Sequence, residues 1–147
     1  MYSKILVPTD GTALSDKAVK SAIGLAKACG AELVAVRVVP RNPVTLWDAG
    51  AVMAPGDLDR IEAQWQAEAQ TTVDAVKKTA EKQGIGCKAV TVRNNLVSEG
   101  ILATAKKSRC DLVVMASHGR KGLKRFILGS ETQGVLAHAD LPVLVIR

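Results

Sequence analysis

The sequence predicts an α/β protein with an open, doubly wound, mostly parallel five-stranded sheet and helices on both faces. Three observations support this fold class. Short β-branched apolar runs alternate with longer segments of helical periodicity along the whole chain. Aromatic residues make up only 3% of the sequence, so Val, Ile, Leu and Ala must build the core. The 147 residues fit one domain, 1–147, with one substantial core.

The first three elements form a βαβ unit. The run KILVPTD has the continuous apolar character of a strand buried on both faces, and the strand ends at Pro8. A helix follows and stops at Gly30. Its predicted apolar face contains Ala18, Ala22, Leu25 and Ala26. The run AELVAVRVV is the second strand and completes the unit.

A long connection and a long helix occupy the middle of the chain. Residues Pro40 to Gly56 are rich in proline and glycine and show no clean period. A lid, a binding loop and a segment without a role are all open interpretations of this connection. Asp57 is the predicted N-cap of the helix that stops at Gly84. Its predicted core positions are Leu58, Ile61, Trp65, Ala69, Val73, Val76 and Ala80.

The last third of the chain continues the alternation. The runs CKAVTVR, DLVVMAS and LPVLVIR are predicted strands. Ser98 is predicted to cap the helix between the first two of them. A short helix with the sequence SETQGVLAHAD precedes the last strand. This order of elements predicts parallel strands joined by helical crossovers.

Composition and charge exclude several classes of function. No apolar run approaches the roughly 18 residues that a membrane span requires. The three cysteines, Cys29, Cys87 and Cys110, are far apart and read as small apolar residues, not as a disulfide or zinc framework. The N-terminus enters a strand pattern without a signal peptide, so we expect a cytoplasmic protein. The net charge of +6 permits a polyanionic partner without requiring one.

The stretch MASHGRKGLKRFILGSETQG indicates a phosphate site. In open α/β sheets, ligands bind outside the carboxyl ends of the strands, where the strand order reverses. Gly119 and Gly122 follow the fourth strand and permit a positive φ, which brings backbone N–H groups close to a phosphate. Gly129 and Ser130 then open a helix whose N-terminus attracts anions. The alternative is that the glycines are turn residues and Ser130 is only a helix cap.

Other polar residues near this stretch have more than one interpretation. Asp10 ends the first strand, and its carboxylate can accept a ribose hydroxyl, hold a metal ion through water, or form an Asx turn. His118 lies in the loop and His138 near a helix C-terminus; neither belongs to a recognisable catalytic arrangement. The basic stretch could attract a polyphosphate or a nucleic acid, and nucleic-acid binding is the less favoured reading. The four cations of this stretch are Arg120, Lys121, Lys124 and Arg125.

Together these residues resemble the universal stress protein family over essentially the whole chain. The segment ILVPTDGTALSDKAV is similar to the first strand and turn of that family. The segment DLVVMASHGRKGLKRFILGS is similar to its nucleotide signature, G-x2-G-x9-G-[ST]. The first glycine of the signature is replaced by Ala116, whose methyl group could narrow the approach to a ribose.

The resemblance implies a Rossmann-like fold of the adenine nucleotide alpha hydrolase-like kind. It implies a homodimer that pairs through the C-terminal strand, Leu141–Arg147, and binds ATP or AMP as a stress-response or regulatory protein. Mg²⁺ or Mn²⁺ would bridge the phosphates. The implied nucleotide-binding residues are Pro8, Thr9, Asp10, Val38, Met115, Ala116, Gly119, Gly129, Ser130, Glu131 and Thr132.

Two further outcomes are compatible with the sequence. A dimeric interaction module of the same fold would leave the nucleotide pocket empty, and Ala116 is the best argument for it. Slow ATP hydrolysis is also open, but the sequence supports no specialised catalysis because no positioned base is evident.

Overall fold

The computed structural model of the chain describes residues 1–41, 54–119 and 127–147. Five parallel strands form one sheet in the order β3-β2-β1-β4-β5. The strands are β1 (Lys4–Pro8), β2 (Glu32–Val39), β3 (Cys87–Arg93), β4 (Leu112–Ala116) and β5 (Val143–Ile146). The helices are α1 (Ala13–Cys29), α2 (Asp57–Glu81), α3 (Val97–Ser108) and α4 (Ser130–His138). The predicted α/β fold class is confirmed, with every described strand pair parallel.

Two apolar clusters cover the two faces of the sheet, as expected for a doubly wound fold. Ile5 and Val7 of β1 pack with α1 and α2 on one face, which we call the α1–α2 face. Leu6 of β1 packs with Ile101 of α3 and Val135 of α4 on the opposite α3–α4 face. Successive strand residues therefore alternate between two buried faces, which explains the continuous apolar runs of the sequence.

The chain leaves β3 at one edge of the sheet and returns to place β4 beside β1. The register of this pair brings Ile5 opposite Leu112 and Leu6 opposite Val113. The strand order therefore reverses between β1 and β4, and a crevice opens at their carboxyl ends. The loops PTDG and ASHG, which follow these two strands, enter this crevice.

Two predicted helix starts are wrong by one or two residues. Gly56, not Asp57, is the N-cap of α2; Asp57 is the first helical residue, and its carboxylate accepts hydrogen bonds from the Ala54 N–H and from Arg60. Leu96, not Ser98, is the N-cap of α3. The Asn94 side chain accepts the Leu96 N–H at 2.9 Å, and this Asx turn starts the helix before Ser98 is reached.

The predicted core face of α2 is buried only in its second half. Ala69, Val73, Val76 and Ala80 are buried, whereas Leu58, Ile61 and Trp65 are partly exposed or at the surface. A helix of 25 residues is about 37 Å long. The strands it covers, with 8 and 7 residues, are only about 23–27 Å long. The first turns of α2 therefore extend beyond the sheet.

The three cysteines are half-buried thiols packed against the core clusters. Burial raises the pKa of Cys87 and raises the pKa of Cys110 to about 11. The thiols of Cys87 and Cys110 therefore remain protonated at neutral pH and act as small apolar side chains. Among the described residues, no helix has the length and apolar character needed to cross a membrane.

Candidate functional site

A pocket of about 380 Å³ lies at the carboxyl ends of β1 and β4, at the point where the strand order reverses. This volume is typical of sites for small molecules and cofactors. The lining of this pocket includes all eleven nucleotide-binding residues that the family resemblance implies. Its lining also contains Ser15, Val36, Arg37, Pro40, Val97, Ile101 and His118.

The turn after β1 is held rigidly by its own polar side chains. The Asp10 carboxylate accepts hydrogen bonds from the Thr12 N–H at 3.0 Å and from the Thr12 hydroxyl at 2.6 Å. Thr12 in turn caps α1 by accepting the Ser15 N–H at 3.2 Å. The Asx-turn interpretation of Asp10 is therefore confirmed, and the same geometry fixes its carboxylate at the pocket wall.

A glycine at position 119 lets the loop after β4 pass close to the Asp10 carboxylate, and its backbone conformation does not require glycine. Its φ lies outside the left-handed region, so the predicted positive φ at Gly119 is wrong. A Cβ at this position would lie 2.8 Å from Oδ2 of Asp10. The two loops thus meet with only a glycine between them, and any side chain at 119 would displace the Asp10 carboxylate.

Gly129 and Ser130 begin α4 as predicted, with Gly129 as the N-cap. The Gly129 N–H donates to the Ser117 carbonyl at 2.8 Å, which fastens the helix start to the end of β4. A Cβ on Gly129 would lie 3.1 Å from Cα of His118, so this position also favours the smallest residue. The N–H groups of Ser130, Glu131 and Thr132 have no acceptor within the helix and lie at the pocket.

Thr132 is a structural residue as well as a pocket residue. It is 2% exposed, and its hydroxyl donates to the carbonyls of Ala116 at 3.0 Å and Ser117 at 3.1 Å. Its side chain therefore holds α4 against β4, and its backbone N–H is the group it offers to an anion.

One wall of the pocket is apolar. Val36 and Val38 of β2, Met115 of β4 and Val97 and Ile101 of α3 form this wall. Such a wall suits a flat apolar group such as a nucleobase. The residues from α3 were not predicted; the i, i+4 spacing of Val97 and Ile101 indicates a buried helix face, but spacing alone cannot say that the face borders a pocket.

Ala116 lines the pocket beside Met115, but the side chains of these two residues point to opposite faces of the sheet. Met115 belongs to the α3–α4 face with Val113, whereas Leu112 and Val114 lie on the α1–α2 face. Strand alternation places the methyl group of Ala116 on the α1–α2 face, away from the apolar wall of the pocket.

Charge at the described part of the site is mixed. Asp10 and Glu131 are carboxylates, and Arg37 is a guanidinium that donates to the Thr72 hydroxyl of α2 at 2.7 Å. His118 Nδ1 lies 3.2 Å from the Ser117 hydroxyl. Among the described residues, no group of three or more His, Cys, Asp or Glu side chains could hold a metal ion.

Some predicted features lie outside the described residues. These are Gly122, the four cations Arg120, Lys121, Lys124 and Arg125, and residues 42–53 of the long connection.

A larger groove of about 980 Å³ runs along the edge strand β3. Its lining includes Thr91 on the α1–α2 face and both Lys88 and Val90 on the α3–α4 face. Because neighbouring strand residues point to opposite faces, this groove wraps around the sheet edge.

Comparison with known proteins agrees with this architecture. The family model described as "Universal stress protein family" matches residues 1–147. Universal stress protein MJ0531 of Methanocaldococcus jannaschii is 35% identical over 147 residues, which is 100% of this chain and 83% of that protein. The solved structure of MJ0577 of the same organism aligns with a TM-score of 0.82 at 27% identity, covering 99% of this chain and 96% of that one.

Two more distant solved structures share the fold and contain nucleotides. A universal stress protein in complex with cAMP is 20% identical and aligns with a TM-score of 0.72, covering 99% of this chain and 97% of that one. The universal stress protein of Archaeoglobus fulgidus in complex with dAMP is also 20% identical, with a TM-score of 0.68 and coverages of 99% and 98%. With the family model matched from the first residue to the last, the chain belongs to the universal stress protein family.

Proposed function

We propose that this protein binds an adenine nucleotide, ATP or AMP, in the crevice between β1 and β4 and acts as a nucleotide-dependent regulatory or stress-response protein. One observation carries the proposal: the eleven residues that the family resemblance implies line one pocket, whose lining includes both an apolar wall and the N-terminus of α4. An adenine base suits the apolar wall, and phosphates suit the helix N-terminus. The relatives that contain cAMP and dAMP support the same class of ligand.

In this proposal the pocket residues have different roles. Val38 and Met115 would contact the base, and Pro8 and Thr9 at the end of β1 would flank the adenosine. Asp10, whose carboxylate is fixed by Thr12, would accept a ribose hydroxyl. The N–H groups that begin α4 and the Ser130 hydroxyl would donate to the phosphates.

Mg²⁺ or Mn²⁺ fits this arrangement only as a partner of the phosphates. Asp10 and Glu131 offer carboxylate oxygens at the pocket, and Mg²⁺ is commonly bound by one or two carboxylates together with phosphate oxygens. When bound, the ion would neutralise part of the triphosphate charge. The chain's own contribution is the fixed Asp10 carboxylate and the row of N–H donors.

The first experiment asks whether nucleotide is present and whether it stabilises the fold. Purified protein is denatured, released nucleotide is identified by mass, and thermal unfolding is followed with and without Mg-ATP. A ligand at 100 times its Kd should add about 2.7 kcal/mol to the free energy of unfolding. Absence of adenylate together with no thermal shift at millimolar ATP would contradict the proposal and favour an interaction module with an unused pocket.

A charge substitution at Ser130 separates binding from stability. Ser130 is exposed at the first position of α4, where a carboxylate stabilises the helix dipole by about 0.3–1 kcal/mol. The same carboxylate would repel phosphate, so we expect Ser130→Glu to raise the Kd for ATP by about tenfold or more without lowering stability. Ala63→Glu adds the same charge at an exposed position of α2 and should leave the Kd unchanged. Equal Kd values for the two variants would place the phosphates elsewhere.

A further inference from the structure

Helices α3 and α4 meet at one unusually close contact. A Cβ built on Gly134 of α4 would lie 2.8 Å from Oγ and 2.9 Å from Cβ of Ser98 on α3. In protein structures, a Cβ atom essentially never lies within 3.0 Å of a heavy atom from a residue that is not its neighbour in the chain. The hydroxyl of Ser98 can rotate away, but its Cβ is fixed to the helix backbone. Any residue larger than glycine at position 134 must therefore move one helix away from the other.

A second close contact holds α3 against the sheet. A Cβ on Gly100 would lie 2.9 Å from both methyl groups of Val38 at the end of β2. The Thr104 hydroxyl donates to the Gly100 carbonyl at 2.7 Å within the same helix. Helix α3 is thus confined between β2 on one side and α4 on the other, so it has little room to accommodate a displacement.

Both helices carry walls of the pocket. Val97 and Ile101, on either side of Ser98 and Gly100, contribute to the apolar end of the pocket, and α4 contributes its N-terminus at Ser130. A change in the separation of α3 from α4 therefore moves the part of the apolar wall that α3 carries relative to the N–H groups that begin α4.

We propose that the Ser98–Gly134 contact sets the span of the site between nucleobase and phosphate, which makes Gly134 a specificity-determining residue outside the glycine signature. The inference rests on the proposed nucleotide binding, and it explains how the site would distinguish ligands by their length. A ligand that must reach both ends, such as AMP, is sensitive to the span. Adenosine contacts only the apolar end and the ribose site, so it is not. A general loss of structure would weaken both ligands alike.

The test is a double-mutant cycle measured by calorimetric titration with AMP and with adenosine. Gly134→Ala adds the clashing Cβ, Ser98→Gly removes the Cβ and the hydroxyl that it would meet, and the double variant combines the two changes. We expect the AMP Kd to rise about fivefold in Gly134→Ala and to return to within about twofold of wild type in the double variant. The adenosine Kd should change by less than about twofold throughout. Gly24→Ala is the control, because a Cβ there meets nothing within 4 Å.

The outcomes are distinct. An unchanged AMP Kd in Gly134→Ala, or a double variant as weak as the single one, overturns the inference and leaves the proposed function standing. Parallel weakening of AMP and adenosine also overturns it. Failure of the wild-type protein to bind AMP overturns both. If Gly134→Ala does not fold, a double variant whose AMP Kd differs from that of wild type by more than about twofold overturns the inference.

Discussion

Asp111 connects the starts of the two strands that form the crevice. Its carboxylate accepts the Ser3 N–H at 2.8 Å, the Ser3 hydroxyl at 2.7 Å and the Lys4 N–H at 3.0 Å. Burial opposes ionisation of this carboxyl, but the hydrogen bonds from Ser3 and Lys4 outweigh it and hold its pKa below the ordinary value of 3.8. One residue before β4 thus helps to fix the register of β1 against β4, on which the pocket depends.

We predict a pH-dependent loss of stability in Asp111→Ala. At pH 7 the variant should lose about 1 kcal/mol of unfolding free energy, a modest value because the site is largely solvated. Because the folded pKa is depressed, the contribution of Asp111 is complete above pH 3.8 and disappears as the pH falls through the folded pKa. Urea unfolding between pH 7 and pH 2.5 should show the two proteins converging at the acidic end. A constant difference over this range, or none at pH 7, would contradict the prediction; Asp140→Ala, at an exposed carboxylate, is the control.

Ala116 replaces the first glycine of the family signature, and its orientation decides what the replacement costs. Strand alternation directs its methyl group to the α1–α2 face, while Met115 faces the apolar wall. We therefore expect Ala116→Gly to change the Kd for AMP by less than about twofold, and Met115→Glu, which puts a charge into the apolar wall, to raise it more than about tenfold. Titration of both variants checks this. Markedly tighter AMP binding by Ala116→Gly would mean that the methyl group does narrow the ribose site.

Element types were predictable because each follows from local chemistry. The apolar runs give strands, and the predicted end of α1 at Gly30 is confirmed by its left-handed φ of 68°. Helix starts were less predictable where two polar groups compete. Asn94 forms an Asx turn ahead of Ser98, and the Asp57 carboxylate accepts hydrogen bonds from neighbours instead of capping its own helix. A sequence shows both candidates, but only the backbone path selects one.

The role of Thr132 shows the same limit within the site. The family resemblance implies a place for this residue at the nucleotide site, and the structure shows it in the lining of the pocket. Its hydroxyl nevertheless bonds two carbonyls at the end of β4. No local pattern in the sequence predicts these two hydrogen bonds, because Thr132 follows Ala116 by 16 positions and Ser117 by 15 positions in the chain. A family resemblance can thus predict that a residue lies at a site without predicting which of its atoms faces the ligand.

The order of strands was the least accessible feature at the scale of the whole molecule. The sequence predicts one shared crevice for the loops after β1 and β4 only if these strands are neighbours, and the sheet shows that they pair. The α3 part of the apolar wall was missed for a related reason. Val97 and Ile101 become pocket residues only because α3 is brought against β2 by the packing of Gly100 on Val38. Long-range packing of this kind has no local signature.

The C-terminal strand β5 lies at an edge of the sheet, so its outer side is open to pairing with another chain. Leu144 on this strand is 42% exposed, and an apolar edge strand tends to pair unless it is covered. We propose that two copies pair antiparallel through Leu141–Arg147, as the family resemblance implies, which would bury Leu144 at a two-fold axis.

Leu144→Arg tests this pairing in solution. Two guanidinium groups facing each other across the axis would cost more than the dimer contact provides, so we expect the wild-type protein to sediment as a dimer and the variant as a monomer. Because Leu144 is already exposed within one copy, the variant should keep its fold, as circular dichroism would show. Leu58→Arg, at another exposed leucine, should remain dimeric. A monomeric wild type, or a dimeric Leu144→Arg, would move the interface away from β5. If the monomeric variant binds AMP as the wild type does, the nucleotide site is complete within one chain.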